Sequence, residues 1–236
     1  MSGKTFGRAG RMACLTVCGL AALLYSENTT DLLSARDRGD SAALDTLVKQ
    51  TEQASDKGPA GQYRLALAYS YAAEVAMEQH DKRKSQTLAE AGLDPAKKAV
   101  EGAGSNAEYH RLMGALCGQV IPANPIMGTL KYGQCARDEI TKAIELNPNL
   151  ALAYVTRGVG NYYLPSSMGG GLEIALKDFD TAISLDPKLA DAYLWKGITL
   201  RKANQNGEAR KALEEAIRLA PDRAWAKEQL QKTPAQ

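Results

Sequence analysis

The sequence predicts an all-α protein, a solenoid of stacked antiparallel helix pairs, and three observations carry that reading. The composition holds only two Phe and two Trp among 236 residues, and Ala, Leu, Lys and Glu, the side chains that lose least freedom in a helix, are abundant. Small residues recur in columns: Gly114, Gly158 and Gly197 are separated by 44 and 39 residues, and Ala99, Ala143, Ala182 and Ala216 by 44, 39 and 34. A third column, Pro148, Pro187 and Pro221, is spaced by 39 and 34. Columns that shrink in step describe one repeated unit carrying insertions of different length.

The chain opens with a leader of a different character. Lys4, Arg8 and Arg11 precede an apolar run from Met12 to Tyr25, with no acidic residue before Glu27. A basic start, a short apolar run and then polar sequence predict a secretory signal peptide over residues 1–26 and an exported protein of the periplasm or cell envelope. The run is shorter than the roughly twenty residues a membrane span needs. A retained N-terminal anchor is the alternative, and Cys18 would serve a lipidated form. Removing the leader takes three basic residues away and leaves 26 against 27 acids, so the formal charge moves from +2 to −1. A charge this small gives no reason to expect nucleic-acid binding.

Residues 27–104 read as degenerate helical repeats. A first pair spans 28–55 and turns at Gly39-Asp40. A second has its first helix over Tyr63–Glu78, and its partner over 82–103 holds Gly92 and Pro95, which predict a kink or a break. Residues 105–221 hold three complete units. Four residues before each column glycine stands His110, Tyr154 or Tyr193, and three before each later alanine stands Ile140, Phe179 or Leu213. Apolar residues three and four apart mark one face of a helix. The closing Pro ends the second helix of each unit. Residues 222–236 supply a terminal capping helix, with Asp222 as its N-cap and Trp225 turned inward, and a tail.

An aromatic residue, a small residue four positions on, an alanine column and a closing Pro at a basic period of 34 resemble the tetratricopeptide repeat (TPR). The fullest copy runs from Ala190 to Pro221, ADAYLWKGITLRKANQNGEARKALEEAIRLAP. The resemblance implies a right-handed superhelix whose first helices line a concave groove. Carried onto this chain, the groove positions are Glu108, Arg111, Ala115 and Gln119; Leu152, Val155, Val159, Tyr162 and Tyr163; and Asp191, Leu194, Ile198, Arg201 and Lys202. The family's clamp for a chain-terminal carboxylate needs Lys, Asn and Arg at set places. Val155 and Val159 occupy two of them, so the groove is expected to take an apolar or amphipathic partner instead, the alternative being that the N- or C-terminal segment fills it or that the superhelix closes tightly.

The uneven spacing locates the insertions. Gly197 to Ala209 is 12 residues, Gly158 to Ala175 is 17 and Gly114 to Ala136 is 22. The additional residues therefore fall within helix pairs, and enlarged inner turns are expected at 120–132 and 164–171. Their apolar residues Ile121, Ile126, Met127 and Met168 would form a ledge for a partner. The bland reading is that both turns pack on their own helices.

Two cysteines, Cys117 and Cys135, lie outside the leader, and in an oxidising compartment they are expected to pair. His80 and His110 lack metal-ligand spacing, and no nucleophile–base set is recognisable. The sequence thus predicts no metal, no cofactor and no enzyme. It predicts a scaffold that binds a protein or peptide through the groove or the ledge, with carriage of a small amphipathic ligand beside a transporter as the alternative.

Overall fold

The computed structural model describes residues 29–54 and 56–235. The leader with its predicted cleavage, anchor and Cys18 lies outside them. Eleven α-helices and no strand occur among the described residues. They pair as α1 (29–37) with α2 (Ser41–Gln53), α3 (Pro59–Glu78) with α4 (Lys82–Gly102), and α5 (Ala107–Val120) with α6 (Pro125–Leu146). Then α7 (Ala151–Tyr163) pairs with α8 (Leu172–Leu185), α9 (Ala190–Lys202) pairs with α10 (Asn206–Leu219), and α11 (Ala224–Gln231) ends the stack.

The column residues meet inside each pair. A Cβ placed on Gly114 would fall 2.7 Å from Ile140 Cγ1, on Gly158 2.5 Å from Phe179 Cε1, and on Gly197 2.6 Å from Leu213 Cγ. Each glycine thus receives the large side chain of the partner helix at backbone range, and any side chain in its place would push the pair apart. Ala143, Ala182 and Ala216 are buried on the partner helices, whereas Pro148, Pro187 and Pro221 are exposed just past the ends of α6, α8 and α10.

Three of the inner turns share one construction. Gly39, His80 and Asn204 each adopt left-handed backbone, with φ of 66°, 66° and 60°. In each the following amide donates back to a carbonyl inside the preceding helix: Asp40 to Ala35, Asp81 to Ala76 and Gln205 to Leu200. This satisfies carbonyls that a helix end otherwise leaves open and reverses the chain in three residues each time. Asp40 and Asp81 then cap α2 and α4 through their carboxylates.

Three expectations need correction. Of the kink or break expected at Gly92 and Pro95, the break does not occur: helix α4 runs from Lys82 to Gly102 with Pro95 inside it. Proline removes one intrahelical bond, and Ala89 and Ala96 on either side are locked in a core with Leu67, Leu112 and Leu116. The segment 120–132 is not a large turn. After a single 3₁₀ turn over Ile121–Ala123 the chain is helical again from Pro125, so α6 has 22 residues where α8 and α10 have 14. Pro125 sits at the first helical position, where its missing N–H costs nothing, and the Asn124 side chain accepts from the Met127 amide. At the other end, Asp222 does not cap α11. Arg223 holds the N-cap position and makes no side-chain cap bond, because a guanidinium only donates and has no acceptor for the open amides.

Candidate binding surfaces

The groove positions of the first unit are consumed by packing between pairs. Arg111 is 6% exposed. Its guanidinium donates to both Glu108 oxygens at 2.7 and 2.6 Å and to Thr156 Oγ1 at 3.4 Å. Tyr63 donates to Glu108 Oε1 at 3.0 Å, and burial, reinforced by that carboxylate, pushes its hydroxyl far above the usual tyrosine range. Gln119 and Ser70 exchange hydrogen bonds at 3.1 and 3.2 Å. Ala115 is half-buried on the same helix.

In the second unit Val155 is in the core with Ala175, Phe179 and Ala192, while Leu152 and Val159 are half-buried against it. Tyr162 stands edge-on to Trp195 at 5.8 Å, and Lys202 lies 4.1 Å over its ring. Tyr163 is exposed. In the third unit Leu194 and Ile198 are buried with Leu213 and Ala226 of the following helices. Arg201 donates to the Gln229 carbonyl at 3.0 Å and to its side-chain oxygen at 2.6 Å. The expectation of a continuous groove through Arg111, Val155, Leu194, Ile198 and Arg201 is therefore overturned. Four of these side chains are buried, and the fifth is tied to α11.

What occupies the groove at Asp191 comes from the far end of the chain. Arg36 of α1 donates to Asp191 Oδ2 at 2.8 Å and to Asp37 at 2.6 Å, and it covers the Tyr71 ring at 5.1 Å. Arg223, 1% exposed, donates to Glu74 at 2.7 Å and to both oxygens of Glu78, one at 3.0 Å. Its Nε stands 3.8 Å from Asp37 and from Asp191 and has no hydrogen-bond partner among the described residues. Burial opposes charge on Asp191, but Arg36 and Arg223 hold it below the usual aspartate range. Burial pushes Glu78 up to about 8, with Glu74 adding to the rise against the pull of Arg223. Sequence reasoning missed Arg36 and Arg223 altogether, since no local spacing relates residues 187 positions apart.

The ledge residues have the opposite fate. Ile126 is 81% exposed, Met127 58% and Met168 56%, whereas Ile121 is half-buried against Gly128. Leu130, absent from the predicted set, is 78% exposed one turn beyond Ile126, and the i, i+4 spacing would have revealed it had a helix been expected there. A disulfide joins Cys117 of α5 to Cys135 of α6, with Cα atoms 6.1 Å apart, and so ties the middle of α6, just past its lengthened start, to its partner. In the second unit the segment 164–171 is a loop with one 3₁₀ turn over Ser166–Met168, and Gly169 and Gly171 have φ of 84° and 115°. His110 is buried between Glu139 at 2.6 Å and the Gly104 carbonyl at 2.9 Å. Among the described residues no group of His, Cys, Asp and Glu is placed to hold a metal, and no helix is long and apolar enough to cross a membrane.

Comparison with solved structures gives the same architecture. A thermophilic TPR protein of Thermus thermophilus superposes with a TM-score of 0.60 at 17% identity, over 91% of this chain and 95% of that one. The HusA haemophore of Porphyromonas gingivalis superposes with 0.56 at 18% identity, over 92% and 96%. These likenesses establish the TPR fold. The tetratricopeptide-repeat family model matches residues 179–211. "Regulator of microtubule dynamics protein 3" of Bos taurus is 33% identical over 96 residues and its Xenopus laevis counterpart 31%. Each alignment covers 41% of this chain and only 20% of the relative. The family model described as "Regulator of microtubule dynamics protein 1-3" matches residues 27–167, more than half of the sequence. The chain therefore belongs to that family, and it carries the family's match on a TPR solenoid.

Proposed function

We propose that the protein is a non-catalytic scaffold that docks a protein partner on the exposed apolar start of α6, with the loop between α7 and α8 as a second contact, and that it does so in the cell envelope. The carrying observation is the cluster of Ile126, Met127 and Leu130 on one helix end, all more than half exposed. Apolar side chains gathered on a surface mark interaction sites. This end is also held rigid, by the Cys117–Cys135 bond and by Gly128 closing on Ile121, so little order has to be imposed on binding. A disulfide suits an oxidising compartment, which supports the exported location. Regulation of microtubule dynamics belongs to the name of relatives matched over a fifth of their length, and it is not carried to this chain.

Photocrosslinking in the native envelope tests the reading. Probes at Met127 and Leu130 should capture one defined protein, and a probe at Lys49 on α2 should not. Absence of crosslinks from both α6 positions would overturn it.

Ligand carriage is the second reading. The strip of Tyr162, Tyr163 and Trp195 beside Lys202 has the aromatic and cationic character an amphipathic ligand with an anionic head would use. Native mass spectrometry of gently purified protein would then show a retained small molecule.

A further inference from the structure

The charges at the seam between the two ends of the solenoid do not balance. Two guanidiniums, Arg36 and Arg223, face four carboxylates, Asp37, Glu74, Glu78 and Asp191. Both arginines and Glu78 are buried. Burying unpaired charge is costly, and a buried acid relieves the cost by keeping its proton. Glu78 is the member placed to do so. It has Glu74 one turn away on α3, and it also lines a cleft of about 270 Å³ with Arg38, His80, Trp225 and Glu228. That cleft offers a route for proton exchange with solvent.

We infer that this cluster is a latch that fastens α11 and the loop before it to α1 and α3, and that loss of a proton from Glu78 releases it. Arg36, Glu74 and Arg223 act on Glu78 directly, and Arg38 and His80 share its cleft, while Asp37 and Tyr71 engage the arginines rather than Glu78. Asp191 of α9, beside the arginines, and Glu228 of α11, in the cleft, complete the set. Ionised Glu78 adds a second uncompensated negative charge beside Glu74. Arg223 cannot neutralise both, because it is already shared with Asp37 and Asp191.

The direction follows from linkage. The carboxyl sits at about 8 in the closed form against an ordinary 4.5. Its contribution to closure is therefore complete below about pH 4.5 and is lost as pH rises through 8. One proton released on opening makes the opening constant grow about tenfold per pH unit inside that window. Asp191, held low, titrates below its ordinary 3.8 and lies outside the window. The latch requires no partner, so it stands or fails independently of the docking surface on α6.

Hydrogen exchange of the full chain, expressed as protection factors corrected for intrinsic amide rates, reads the latch directly. Between pH 5.5 and 7.5, protection in α1 and α11 should fall about tenfold per pH unit, while protection in α6 stays level. Glu78→Gln should flatten the dependence in α1 and α11. If that variant does not fold, the paired replacement Arg223→Met with Glu78→Leu, which exchanges the ion pair for apolar packing, should give the same flat profile. Level protection in the wild type, or an undiminished fall in either variant, overturns the latch.

Discussion

The seam where the ends of the chain meet and the lengthened start of α6 invert the usual distribution of side chains. At the seam Arg36, Glu78 and Arg223 are withdrawn from water among three part-buried carboxylates, with Arg223 1% exposed. On α6 three apolar side chains are presented to it, with Ile126 81% exposed. Both depart from what stability alone would choose, since buried ion clusters are weak stabilisers against apolar packing and exposed apolar side chains contribute little to folding. The difference lies in what each tolerates. The seam is an interlocked set in which every member depends on another. The α6 surface is a row of independent side chains on a backbone that packing and a disulfide already hold.

That contrast can be broken at four points. The largest effect is expected from Arg223→Ala, which leaves buried Glu78 and part-exposed Glu74 without their shared cation and should destabilise by about 3–5 kcal/mol in urea unfolding. Removing the Cys117–Cys135 bond, by Cys117→Ser with Cys135→Ser, frees a loop closed across 18 residues and should cost about 3 kcal/mol by loop entropy. The difference from the parent should vanish under reducing conditions, where the parent lacks the bond as well. Gly158→Ala forces a methyl against the Phe179 ring and should cost roughly 1–3 kcal/mol. If it costs less than a few tenths, the glycine column is not the contact that sets the pair spacing. The smallest effect on stability belongs to Ile126→Ser with Leu130→Ser, expected within about 0.5 kcal/mol of the parent, although captured partner should be lost. A large destabilisation there would mean that α6 packs on its own protein and the contrast with the seam is false.

How much of this was legible in the sequence depends on the range of the interaction responsible. The glycine, alanine and proline columns could be read because they serve contacts within one helix pair and recur with the unit. The TPR fold follows from them. The site of the ten additional residues between Gly114 and Ala136 could also be located, but not their conformation. Pro125 can open a helix as readily as it bends a turn, and Asn124 and Gly128 tipped the balance only through contacts with Met127 and Ile121. The fate of the groove was beyond local reading. Small rotations between successive pairs add along a solenoid, and their sum carries Arg36 to Asp191. No spacing within a unit encodes that sum, so Val155, Leu194 and Ile198 read as lining when they are core.

Repeat arrays ordinarily gain and lose units during evolution with little consequence, because each contacts only its neighbours. Closure of the two ends removes that freedom here. Deleting the α7–α8 pair, or duplicating it, would carry Asp191 and Arg223 away from Arg36 and Glu74 by a full step of the superhelix. Its unit number is thereby as constrained as the blade count of a closed ring, and sequences sharing the seam should share its length between residues 36 and 223 far more strictly than the repeats themselves require.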